Sequence, residues 1–422
     1  MLSSKTNRIR ILFIAEASTL AHIVRPLTLA NSLNPEEFEI LFASDKHFDW
    51  AFEGTDLQRI PIHSRSPETV LTVANSGGIL FDQDILAEYL AADLKLISEV
   101  RPALIVGDMR QSLAISAPLS QVPLVTLTNA HWSPFAKRAR FPHPPLPALS
   151  FFAGAPKLSC AISSILTRTF QLALPKVLTQ QASGLAALRR KYNLPAFPDY
   201  FSGFTFGDQT LFCDTPLLAP TIELAHNQAY IGPINWSPKV PLPQWWLRIP
   251  KDKPKAYVCL GSSGNFNVTE KIVAALVENQ VIPIVAGSGF DALRPWPGCF
   301  GAKMLPGAAV CEQVDFVISN GGSPTSYQAL AAGKPVLGIP SNMDQILTMH
   351  RIAELKAGIM LRPEQISANS LNAAIRSLKT TPIFSTNAKI IKNEISTYSP
   401  AAKFRLALDK LLNTNDQAMV AR

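Results

Sequence analysis

The sequence predicts an α/β protein of two doubly wound parallel-sheet halves, and three observations carry that expectation. Short apolar runs alternate with helical patterns, at residues 11–14, 25–33, 39–43, 103–106, 112–117 and 124–127. The alternation breaks at residues 231–255, IGPINWSPKVPLPQWWLRIPKDKPK, where prolines and tryptophans crowd as they do in linkers. It then restarts with the strand AYVCL, the loop GSSGN, a helix over residues 268–278 and the strand VIPIVAG. The expected division is a first half at 1–238, a linker at 239–255 and a second half at 256–390. A helical tail at 391–422 is expected to pack back on the first half. No repeat of solenoid period and no low-complexity tract is present.

A chain of 422 residues, 47% hydrophobic and 17% charged, has the material for two cores. Its formal charge of +8 and pI near 9.2 would suit nucleic acid, but the basic residues are scattered. The densest groupings are the short AKRAR (136–140) and LRRKY (188–192), so the charge points to anionic ligands or a membrane surface, with no nucleic-acid partner. Cys160, Cys213, Cys259, Cys299 and Cys311 are far apart and odd in number, which predicts reduced thiols and a cytoplasmic place. Lys5, Arg8 and Arg10 precede an apolar run, yet Glu16 and His22 interrupt it, so it reads as the first core strand rather than a signal peptide. No stretch reaches the roughly 18 apolar residues of a membrane-spanning helix.

Residues 317–345, VISNGGSPTSYQALAAGKPVLGIPSNMDQ, hold the sharpest local signal. They parse as a buried strand (Phe316–Ser319), a Gly-rich turn, a helix opened near Pro324 and closed by Gly333, and a second buried strand at 335–339. Open α/β sheets place ligands at the carboxyl ends of strands. Unpaired N–H groups at a helix start, reached through glycine, suit a phosphate.

Two such halves, a Pro-rich joint and a Gly-rich loop in the second half resemble the GT-B glycosyltransferases. The likeness is to the inverting superfamily of UDP-glycosyltransferases and the macrolide and glycopeptide enzymes. ASTLAHIVRPLTLANSL resembles that family's catalytic-histidine segment, and NGGSPTSYQALAAGKPVLGIPSNMDQ its donor-binding signature. The resemblance implies two Rossmann-like domains facing each other across a cleft, with the acceptor held by the first half and a nucleotide-diphosphate sugar by the second. UDP or dTDP is the expected nucleotide, and neither cofactor nor metal is implied. The family begins its donor signature with His where this chain has Asn320, whose amide can still donate a neutral hydrogen bond.

His22 is expected in the loop after the first strand, where an imidazole suits removal of an acceptor hydroxyl proton. The plain alternative is a helix-terminal histidine that caps or packs. The resemblance gives Asp108, in LIVGDMR, the task of orienting His22; otherwise it caps the following helix. Ser262 and Ser263 are candidate diphosphate donors or an ordinary βα turn. Gly321, Gly322, Ser323 and Thr325 are expected to form the phosphate loop, the plain alternative being a turn with a structural role alone. Asp344 and Gln345 resemble the pair that binds donor-sugar hydroxyls, and Leu305 with Pro306 the nucleotide-base position. His131 and Trp132, with the aromatic and basic stretch after them, fall on the acceptor side and favour a hydrophobic small molecule or lipid. That stretch is also suited to rest on an anionic membrane. The remaining histidines lack zinc-site spacing. The alternatives to an inverting transferase are a nucleotide-sugar 2-epimerase and a binding protein with altered catalysis. The sequence leaves sugar, acceptor and oligomeric state open.

Overall fold

The computed structural model describes residues 8–75, 78–137, 141–145, 156–261, 266–287, 290 and 297–420. The chain divides into two compact units. One comprises residues 1–137, 174–234 and 398–422, the other residues 138–173 and 235–397. The boundary therefore falls at 234/235, and the stretch 239–255 belongs to the second unit. The reason is its indoles: the Trp245 ring lies 5.5 Å from Phe300, and Trp246 Nε1 donates to Gln313 Oε1 at 2.8 Å. Residues 138–173, read from sequence as part of the first half, also group with the second unit.

The first unit is built on a seven-stranded sheet of β1 (Ile9–Ala15), β2 (Phe38–Ser44), β3 (Arg59–Pro61), β4 (Leu104–Asp108), β5 (Leu124–Thr128), β6 (Gln209–Phe212) and β7 (Gln228–Tyr230). Every pairing is parallel, in the order β3-β2-β1-β4-β5-β6-β7. Strands covered on both faces read as unbroken apolar runs, and residues 11–15 and all of β4 are buried. The last helix, Pro400–Val420, closes the same unit. Its buried Phe404 packs 6.1 Å from the Phe13 ring, and Arg405 Nη1 donates to Glu37 Oε2 at 2.7 Å.

The second unit has six parallel strands: β8 (Lys255–Cys259), β9 (Ile282–Ala286), β10 (Phe300–Ala302), β11 (Phe316–Ser319), β12 (Val336–Gly338) and β13 (Gly358–Met360). Their order is β10-β9-β8-β11-β12-β13. Val258, Phe316, Ile318 and Leu337 meet Ile272 and Leu276 of the helix Thr269–Glu278 and Leu371 and Ile375 of the helix Ala368–Thr380 in one core. Both sheets start a reversal of strand order at their first strand, between β1 and β4 and between β8 and β11. The following helices leave to opposite faces there, which opens a crevice at the strands' carboxyl ends. Among the described residues no helix is long and apolar enough to cross a membrane.

Of the Pro-rich stretch after Trp132, residues 138–140 and 146–155 lie outside the described residues. Residues 141–145 run as coil within the second unit, and there Arg362 Nη2 donates to the carbonyls of His143 and Pro144, both at 3.0 Å. The buried Arg362 pairs with Glu364 at 2.5 Å, and the His143 ring meets Ser163 Oγ at 2.9 Å. Burial holds the His143 imidazole below the usual histidine range, and the Arg362 charge acts the same way.

Two outcomes follow. Phe404→Ala should lower unfolding free energy by about 3–5 kcal/mol in denaturant titrations, because it empties a fully buried aromatic site. The folded chain resists protonating His143 where the unfolded chain accepts a proton near pH 6.5. Stability should therefore fall as pH drops below about 6.5 through the folded value. His143→Asn should flatten that acid limb in melts recorded from pH 7 to 5.

Candidate active site

The loop after β1 leads into a helix, Leu20–Ala30, and His22 is its third residue rather than a loop residue. The helical pattern expected at 25–33 thus begins five residues earlier and ends at Ala30, with Pro26 within it. There Pro26 cannot supply the N–H that the His22 carbonyl would take one turn earlier. Asp108 ends β4, directly opposite Ala15 of β1 in the sheet register. This puts the two residues at the switch point, and His22 Nδ1 lies 2.8 Å from Asp108 Oδ1. Asp108 is completely buried while the His22 side chain keeps 20% of its exposure. The helix after β4, Leu113–Ser120, has Ser112 at its N-cap, so Asp108 is not its capping residue.

Asp108 has a second partner that the sequence did not reveal. Arg25, one helical turn after His22 and 4% exposed, donates from Nε to Oδ2 at 3.0 Å and from Nη2 to Oδ1 at 2.7 Å. Its Nη1 donates to Asn129 Oδ1 at 2.6 Å. Asn129 Nδ2 donates in turn to Asp214 Oδ1 at 2.8 Å, and Asp214 Oδ2 accepts the Ala130 N–H at 2.6 Å. The signal for Arg25 was its i,i+3 spacing from His22, which puts both on one helix face. Asn129 and Asp214 carried no local signal, since β5 and β6 bring them together.

The same loop rests on a buried charge cluster. Glu16, Asp93 and Arg110 are all nearly or fully buried. Arg110 Nε donates to Asp93 Oδ1 at 3.1 Å and Nη1 to Glu16 Oε2 at 3.3 Å, with the guanidinium 3.7 Å above the Tyr89 ring. Tyr89 donates its hydroxyl to Glu16 Oε1 at 3.0 Å. Burial pushes the Glu16 carboxyl above the usual range, against the pull of Arg110 and Tyr89. Ser64 Oγ also accepts the Ala17 N–H at 3.2 Å, so the start of the short loop is tied at both Glu16 and Ala17.

In the second unit the loop after β11 leads directly into a helix start. The helix spans Ser323–Ala331, with Pro324 in its first turn and Gly333 at φ +73° beyond its end. Gly321 takes φ +81°, and its N–H donates to Ser319 Oγ at 2.9 Å. Asn320 Oδ1 accepts the Gly322 N–H at 3.1 Å, and its amide nitrogen lies against Gly261. Asn320 thus occupies one of the loop N–H groups itself. Ser323 is buried and Thr325 half-buried in the first turn. The neighbouring GSSGN loop after β8 contains Ser262 and Ser263, which lie outside the described residues.

Asp344 and Gln345 sit in the first turn of the helix Met343–Glu354, whose cap Asn342 accepts the Gln345 N–H at 3.1 Å. Gln345 Oε1 accepts both the Ser341 N–H at 2.7 Å and the Ser341 hydroxyl at 3.0 Å, so the side-chain oxygen is engaged within the loop. Leu305 and Pro306 are buried ahead of the helix Gly307–Gln313. Back in the first unit, His131 and Trp132 form a tight turn after β5, with Trp132 stacked 5.2 Å from Phe204 and packed 6.5 Å from Phe201. Tyr200 and Phe204, 5.0 Å apart, extend this aromatic wall, which sequence reasoning missed. Among the described residues no group of three or more His, Cys, Asp or Glu side chains is placed to hold a metal.

The family described as erythromycin biosynthesis protein CIII-like, C-terminal domain, matches residues 271–403. A "PGL/p-HBAD biosynthesis glycosyltransferase" of Mycobacterium tuberculosis is 41% identical over 373 residues, which cover 88% of this chain and 85% of that one. The chain belongs to the GT-B glycosyltransferases. A "PGL/p-HBAD biosynthesis rhamnosyltransferase" of Mycobacterium bovis is 37% identical over 370 residues, covering 87% of this chain and 80% of its own. Among solved structures, "Spinosyn Rhamnosyltransferase SpnG complexed with thymidine diphosphate" superposes with a TM-score of 0.67 at 18% identity, covering 94% of this glycosyltransferase and 99% of that chain. At that identity the likeness speaks for the fold.

The conformation of the loop in this glycosyltransferase depends on Gly321. A Cβ there would lie 2.5 Å from Met349 Cγ at a φ that L residues avoid. Gly321→Ala should therefore cost about 1–3 kcal/mol in urea unfolding, and Gly322→Ala, at φ −65°, should cost less.

Proposed function

We propose that this glycosyltransferase moves a sugar from a nucleotide-diphosphate donor to a hydroxyl of a hydrophobic acceptor, with inversion at the anomeric carbon. The observation that carries the reading is the 2.8 Å contact between His22 Nδ1 and the buried Asp108 carboxylate. A carboxylate accepts and does not donate, so the proton of a neutral imidazole lies on Nδ1 and the Nε2 lone pair is left for an acceptor hydroxyl. His22 Nε2 takes the hydroxyl proton as the acceptor oxygen bonds to the anomeric carbon. The bond from that carbon to the donor phosphate breaks, and the nucleoside diphosphate leaves from the opposite face. Asp108 stabilises the imidazolium formed in that step.

The diphosphate would lie at the start of the helix Ser323–Ala331, where backbone N–H groups and the helix dipole stabilise leaving negative charge without a metal. Asp344 and the Gln345 amide, in the first turn of the helix Met343–Glu354, would meet the sugar hydroxyls. The thymidine diphosphate in the SpnG complex and the rhamnosyltransferase name of a relative make a dTDP-linked hexose the first donor to test, ahead of UDP forms. The aromatic wall of Trp132, Phe201 and Phe204 favours an apolar aglycone.

The test is nucleotide release from dTDP- and UDP-sugars in the presence of hydrophobic alcohols, with product configuration read by NMR. His22→Ala should lower kcat roughly 100- to 10,000-fold, the range a general base supplies, while nucleotide-induced thermal shifts persist. Unchanged turnover in His22→Ala, or retained anomeric configuration, would sink this mechanism.

A further inference from the structure

We infer that Arg25 is a positioning residue for sugar transfer, holding the Asp108 carboxylate, and through it His22, in the one orientation that leaves His22 Nε2 to the acceptor. The inference rests on the assignment of His22 as base. A carboxylate on its own turns readily about its last torsion, which has a broad, roughly two-fold preference. Arg25 removes that freedom by gripping both oxygens, Oδ2 at 3.0 Å and Oδ1 at 2.7 Å. A planar guanidinium fork fixes the plane of the carboxylate it holds. The oxygen it leaves shared is Oδ1, the one that meets His22 Nδ1.

The guanidinium is itself held. Its remaining nitrogen, Nη1, ends on Asn129, and Asn129 on Asp214, so three strand ends, those of β4, β5 and β6, fix its direction. Arg25 Nη2 also lies 3.0 Å from His22 Nδ1. A guanidinium only donates. That contact by itself would favour a lone pair on Nδ1. Yet a lone pair there would also face the Asp108 oxygen at the shorter 2.8 Å, and Nη2 already donates to Oδ1 at 2.7 Å, so the carboxylate outweighs it and the proton stays on Nδ1. Charge argues for the same role. With a neutral imidazole as its only partner, the fully buried Asp108 would be an uncompensated charge. Arg25 supplies the countercharge before, during and after the proton passes through His22.

A purely structural Arg25 and a positioning Arg25 differ in one measurable respect: only the second acts through His22. Arg25→Lys keeps the charge and loses the fork, and it should lower kcat about ten- to a hundredfold while KM for the nucleotide sugar stays nearly constant. Asn129→Ala, which loosens Nη1 alone, should act in the same direction but less. Each change is then repeated in His22→Ala, with residual transfer read in single turnovers. There the penalties should collapse to about a factor of one, because residues acting as a unit are not additive. The same fractional loss in both backgrounds, or no loss of kcat in Arg25→Lys, overturns the inference and leaves the His22 assignment standing. Wild-type transfer by His22→Ala instead overturns the base assignment, and the inference with it.

Discussion

A carboxylate buried completely at the end of β4 sets the terms for everything around it. Taking Asp108 out of water is costly unless charge and hydrogen bonds compensate it. The compensation comes from one helix face, where His22 and Arg25 lie a turn apart, and the arginine is steadied in turn from β5 and the segment after β6. The strand order makes this convergence possible, because β1 and β4 are neighbours although more than eighty residues of chain separate His22 from Asp108. The Glu16, Asp93 and Arg110 cluster on the other side of the β1 loop meets the same constraint in the same way. Its bonds anchor Glu16, the first residue of the loop that leads to the helix carrying His22.

The second unit uses the same topology with different chemistry. At its switch point, between β8 and β11, the described residues are small and neutral, and the Gly321 and Gly322 N–H groups are taken up by Ser319 and Asn320. Gly321 allows the chain to turn at positive φ, and Asn320 uses its carbonyl oxygen to brace the turn. A histidine at that position, as in the wider family resemblance, would bring a titratable ring; asparagine brings a neutral amide whose acceptor is already committed. The loop is therefore held by hydrogen bonds of its own.

How much could be read without coordinates varied with the range of the forces involved. The strand Phe316–Ser319, the helix opened by Pro324 and closed at Gly333, and the alternation that makes both sheets parallel are local patterns, and they were legible. The helix expected at 25–33 spans Leu20–Ala30 instead and carries Pro26 inside, held by packing of Ile23, Val24 and Leu27 in the core, which no local pattern shows. Trp245 and Trp246 read as linker because composition alone cannot show that an indole has Phe300 and Gln313 to pack against.

The sequence by itself determined the architecture and the family, since periodicity, glycine placement and motif order are properties of neighbouring residues. It also named His22 and Asp108 as a pair. Tertiary structure alone decided that Asp108 is shared with Arg25, that Asn129 and Asp214 extend the chain of bonds, and that residues 138–173 group with the second unit. Those outcomes depend on strand order and burial. They join residues far apart in the chain, and no pattern within a window of a few turns encodes them.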